Sequence, residues 1–116
     1  MNGMKTIVID GYKFEGPYVM DKDEIPAVAG VMLISTEAGE GFKIMCVEEA
    51  ADMKAHMAGS DRKGIWKDNA YHGQVDIYVM ATDCDDSKRA SIADSIADRR
   101  RASLNCQRPK IIEDDW

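Results

Sequence analysis

Apolar positions along the chain fall into short runs separated by polar, glycine-bearing turns. Two runs stand close together: Val31-Met32-Leu33-Ile34, and Phe42-Lys43-Ile44-Met45-Cys46-Val47. Residues 27–34 are almost continuously apolar, the pattern of a strand buried on both faces. The second run partly alternates, with Phe42, Ile44 and Cys46 on one face and Lys43, Met45 and Val47 on the other. Ser35 to Gly41, with Gly39 and Gly41, reads as the hairpin connection between them. A helix is predicted over residues 48–58. Glu48 and Glu49 suit the positive end of its dipole, Ala50, Met53 and Met57 form a narrow apolar stripe, and Gly59 provides a stop. Methionines at that spacing read as core rather than as a binding stripe.

The flanking segments are less regular. Thr6-Ile7-Val8-Ile9 is β-branched and reads as an edge strand or an extended arm. Tyr12, Phe14, Pro17 and Tyr18, set around Gly11 and Gly16, suggest an irregular segment packing over the core; the competing reading is a set of stacking platforms for bases. Asp21 to Pro26 is a polar turn. Residues 60–73 read as a short helix or ordered loop pinned by Trp66. Val75, Ile77, Val79 and Ala81 alternate with Asp76, Tyr78 and Met80, so 74–81 is a half-buried strand. Asp83 to Asp86 is an acidic turn in which Asp86 or Ser87 can cap a helix over 86–102. Ile92, Ala93, Ile96 and Ala97, continued by Leu104, give that helix its buried stripe, and Asp85 pairs with Arg89 at i, i+4. Arg99-Arg100-Arg101 suits a helix C-terminus, with a phosphate-contacting patch as the alternative. Ile112 and Trp116 would dock a short tail. The expected architecture is α/β: a small, mainly antiparallel sheet from 27–34, 42–47 and 74–81, flanked by the two helices.

Composition narrows the classes. A chain of 116 residues, 45% apolar and 31% charged, fits one globular domain. Its net charge of −6 disfavours duplex nucleic acid, whose binding rests on neutralising phosphates. No apolar run approaches the ~20 residues of a membrane span, and no secretory leader is expected. Three widely spaced cysteines, Cys46, Cys84 and Cys106, suggest neither a disulfide framework nor a zinc pair, so a cytoplasmic location is expected.

Gly16-Pro17-Tyr18, Ile25-Pro26, Ala29-Gly30-Val31, and later Arg89-Ala90-Ser91-Ile92 and Leu104-Asn105-Cys106, together with the strand–turn–strand–helix succession, resemble the GIY-YIG nuclease superfamily over about residues 14–105. The resemblance implies a single domain of that fold over residues 1–116. It also implies a site in which one tyrosine assists attack by water, an arginine stabilises the phosphate and a glutamate holds a divalent metal. Those residues are replaced here. Met32 stands for the catalytic tyrosine, Cys46-Val47-Glu48 for Tyr-Ile-Gly, His56 for the arginine and Ala93 for the glutamate, with Asp94 one residue further on. A methionine sulfur cannot do a phenol's proton-transfer work, and an alanine offers magnesium no oxygen.

The resemblance therefore implies a non-catalytic domain that binds a protein or a small ligand through a retained pocket at Met32, Cys46, Glu48 and His56, with no catalytic residue, metal or cofactor. The alternative is a diverged metal-dependent nuclease or phosphodiesterase. In that reading Tyr12, Tyr18 or Tyr71 is the base, His72 or His56 the general acid or base, and Asp94 or Glu48 the metal ligand. A third reading sets the Cys46 thiol beside the His56 imidazole as a nucleophile or soft-metal pair. Its bland counterpart is a buried, inert cysteine.

Overall fold

The computed structural model describes residues 4–100. Five strands and three helices follow one another as β1 (Lys5–Ile9), β2 (Tyr12–Val19), β3 (Gly30–Ala38), β4 (Gly41–Ala50), α1 (Met53–Ala58), α2 (Lys63–Asn69), β5 (Asp76–Ala81) and α3 (Asp86–Arg99). A 3-10 turn, Tyr71–Gly73, links α2 to β5. The strands form one sheet in the order β1-β2-β5-β3-β4, and every neighbouring pair is antiparallel. The α/β class is as expected; to the three predicted core strands the sheet adds β1 at its edge, one of the two readings of residues 6–9, and β2, which is not predicted.

The extra strands come from the N-terminal segment. Asp10-Gly11 is a two-residue connection with both φ angles positive, 55° and 87°, the requirement of a type I′ hairpin turn. It pairs Ile9 with Tyr12 and makes a strand of 12–19, where the aromatic residues had suggested irregular packing. The aromatics do pack: Phe14 is fully buried, and Tyr12 and Tyr18 lie against the core.

The other differences are shifts of boundary. β3 runs to Ala38, so the hairpin connection is only Gly39-Glu40, a length set by the ladder rather than by composition. β4 continues to Ala50, which puts Glu48 and Glu49 on a strand, and α1 begins at Met53 behind the Asp52 cap, whose carboxylate accepts from the Ala55 amide at 3.1 Å. At α3 the cap is Asp85, accepting from the Lys88 amide at 2.7 Å. Its carboxylate thus serves the helix end, and Arg89 pairs with Glu49 and Asp86 instead. Arg101, Leu104, Cys106, Ile112 and Trp116 lie outside the described residues.

The sheet carries a separate core on each face. Met32, Ile34, Cys46, Ile77 and Val79 face α1 and α2, packing with Met53, Met57 and Trp66. Val31, Leu33, Ile44, Val47 and Tyr78 face α3, packing with Ile92, Ala93 and Ile96. A β-bulge in β4 complicates the alternation. Ile34 pairs with Cys46 and Ser35 with Ile44, leaving Met45 as the extra residue. The bulge turns Cys46 to the face opposite Ile44, whereas simple alternation places them together.

Candidate functional site

β4 ends in two consecutive glutamates, and adjacent strand residues point to opposite faces. Glu48 projects toward the α1 side. His56 Nε2, from α1, donates to its Oε1 at 2.9 Å, and Arg62 Nη1, at the start of α2, lies 3.6 Å from its Oε2. Glu49 projects toward α3, where its Oε1 accepts from Arg89 Nε at 2.7 Å. Each face of the sheet is thus clamped by one glutamate to the helix that covers it.

Electrostatics follow from this geometry. The hydrogen bond to Glu48 holds the His56 imidazolium above its ordinary pKa; burial opposes the shift, the charges of Glu48 and Glu49 reinforce it, and Arg62 works against it. His56 and Glu48 are only partly exposed, at 35% and 12% of their side-chain surface. An imidazole oriented by a carboxylate can exchange a proton near neutrality. Here both carboxylate oxygens already serve the two bases.

The positions expected to form a retained pocket do not do so. Met32 and Cys46 are fully buried, so of the four pocket candidates only Glu48 and His56 meet solvent. Cys46 Sγ accepts from Trp66 Nε1 at 3.2 Å, and Cys46 is disulfide-bonded, leaving no thiolate for a pairing with His56. Ala93 is buried against the α3 face of the sheet, opposite the face that α1 and His56 cover. The four replaced positions therefore do not converge on one concavity.

The relocated candidates are also dispersed. Asp94 is exposed on α3, across the sheet from His56. Tyr71 and His72 stack edge to face at 4.1 Å on the exposed 3-10 turn. That turn is tied to the hairpin end of β3, the Tyr71 amide donating to Thr36 Oγ1 at 2.7 Å. Glu48 pairs with Met32, four residues or about 13 Å back along the strand. Tyr18 is half-buried, and burial raises its phenol pKa, which makes it a poorer base at neutral pH. The divalent ion implied by the resemblance does not fit these residues. Ala93 brings no oxygen, Asp94 and Glu48 project from opposite faces, and no cluster of three or more His, Cys, Asp or Glu among the described residues could hold a metal.

An open cleft of about 220 Å³ lies on the α1 side of the sheet, between the 21–25 turn, α1 and the start of α2, with none of the four pocket candidates in its lining. Met20, Ile25, Met57 and Ile77 form its apolar floor. Its rim is charged: Lys54 pairs with Glu24, and Lys63 lies 3.5 Å from Asp21. The apolar spacing had marked Met57 as core, but nothing in the residue pattern brought it beside the Asp21 turn.

Comparison with known proteins finds no match. No family model, no curated protein and no solved structure matches the chain. Among the described residues no helix is long and apolar enough to cross a membrane.

Proposed function

We propose that the chain is a non-catalytic, GIY-YIG-like domain whose role is to bind a protein or a small ligand. The order hairpin, helix, helix, strand, helix from β3 to α3 supports the resemblance, because it repeats the succession the motifs imply. One observation carries the non-catalytic reading: Glu48, the carboxylate nearest the replaced positions, is held by His56 and Arg62. Met32 and Cys46 beside it are sealed in the core. The concavity on that face of the sheet is the apolar-floored cleft along α1, lined by none of those residues, a shape suited to contact rather than to phosphodiester chemistry.

The competing reading, a diverged nuclease, draws on the Glu48–His56 pair, since an oriented imidazole is a credible general base. A direct test incubates the purified protein with supercoiled plasmid and with branched DNA in Mg²⁺ or Mn²⁺. The non-catalytic reading expects both substrates to survive intact. Nicking by the wild-type protein that disappears in His56→Ala would overturn it.

A further inference from the structure

On the α3 side of the sheet, beyond the helix, a cavity of about 340 Å³ opens between the β3–β4 hairpin, β5 and the start of β1. Phe42 and Tyr78 form an aromatic wall with ring centroids 5.1 Å apart and planes tilted by 33°. Asp76, Glu37 and Glu40 line the same cavity, against the single ammonium of Lys5. Asp76 is unusual among them: it is only 8% exposed. Gln74 Nε2 donates to its Oδ1 at 3.1 Å, while its Oδ2 has no hydrogen-bond donor among the described residues. Among the described residues Lys5 makes no ion pair with Asp76, and its charge reaches that carboxylate only weakly, opposing the effect of burial.

We propose that this cavity binds a primary aliphatic ammonium, with Asp76 Oδ2 accepting an N–H and the alkyl chain lying on Phe42 and Tyr78. Burying a carboxylate without a paired cation is costly, and burial, reinforced by the charge of Glu37, raises the Asp76 pKa. A ligand ammonium supplies the missing charge and hydrogen bond, and the aromatic faces attract a cation and its methylenes together. Glu37 and Glu40 add negative potential at the mouth. A bare metal ion fits less well, since these carboxylates are not grouped closely enough to coordinate one.

The test titrates the protein with 1,5-diaminopentane, reading the backbone amide shifts of Glu37, Phe42, Asp76 and Tyr78. Tetramethylammonium, which has the charge but no N–H, runs in parallel. The proposal expects diamine binding in the range of about 1 mM or tighter, at least about tenfold tighter than tetramethylammonium, with shifts confined to the cavity. Asp76→Asn keeps the Oδ1 acceptor for Gln74 and should fold, yet lose at least about tenfold in affinity. Asp68→Asn, exposed on α2 on the other side of the sheet, should bind as the wild type does. Absence of diamine binding at about 10 mM, equal affinity for tetramethylammonium, unchanged binding by Asp76→Asn, or an equal loss in Asp68→Asn would each overturn it. Nα-acetyl-lysine amide names the source: binding at least as tight as the diamine's assigns a protein lysine, weaker binding a free amine, and either sustains the proposal.

Discussion

Gly30 opens β3 against Met80 of β5 and Met53 of α1, and the side chain it lacks explains the approach. A Cβ there would sit 2.5 Å from the Met80 carbonyl oxygen and 2.7 Å from Met53 Sδ and Cε. The methionine tip could swing away, but the carbonyl belongs to the β3–β5 ladder and cannot. Gly30→Ala should therefore destabilise the fold by about 1–3 kcal/mol, the usual penalty for overpacking, read as a lower denaturation midpoint at unchanged m. A neutral result would mean that the β3–β5 ladder can yield at Met80 without cost. Residue-scale contacts of this kind are invisible to periodicity. The burial of Met32 was legible from its apolar run, whereas the face taken by Cys46 was not. An inserted residue such as Met45 leaves no signature in an alternation that is only partial, and it changes which helix Cys46 meets.

At the scale of elements, the apolar runs located β3, β4 and β5, and the stripes located α1 and α3, because each pattern reports directly on a buried face. What they missed has identifiable causes. Asp10-Gly11 is a strong hairpin signal, but the aromatics and glycines beyond it break the alternation that would mark a strand. Glu48-Glu49 suits a helix start on the dipole argument, although the same two carboxylates work equally well as strand-end clamps once α1 and α3 lie on opposite faces. That opposition is a matter of topology, and it is why Ala93 and His56 could not be placed relative to each other from spacing alone. Trp66 reads as an anchor from its polar surroundings, and the structure gives it a specific task. It is fully buried and holds α2, which buries no other residue, against the sheet. Trp66→Ala should cost about 3–5 kcal/mol in chemical denaturation. Retention of wild-type stability would show that α2 is held by its polar contacts instead.

Across the whole molecule, charge is arranged so that stability should depend on pH in two directions. Arg100 donates to both oxygens of Asp10, at 2.8 and 2.9 Å, joining the end of α3 to the β1–β2 turn. This pairing holds the Asp10 carboxyl below its ordinary value of 3.8. Its stabilisation is complete above 3.8 and is lost as pH falls through the depressed folded value. His56 behaves oppositely. Its pKa is raised above the ordinary 6.5, so the Glu48–His56 clamp is at full strength below 6.5 and is lost as pH rises through the raised value. Asp76 acts from the acidic end: a carboxyl with a raised pKa penalises the fold as pH rises from 3.8 to its raised folded value, and the penalty is constant above that. The thermal midpoint should thus be highest on the mildly acidic side of neutrality. His56 is 35% exposed, so solvent screening limits its share to about 0.5 kcal/mol, or about 2–4 °C. Thermal unfolding at about pH 5.5 and about pH 8.5, values that bracket histidine titration, provides the measurement. The wild type should lose more of its midpoint over that interval than Glu48→Gln, in which the imidazolium loses its hydrogen-bonded carboxylate and keeps only the weaker influence of Glu49. Equal losses in the two proteins would assign the alkaline limb to the growing net negative charge and leave the clamp without a role in stability.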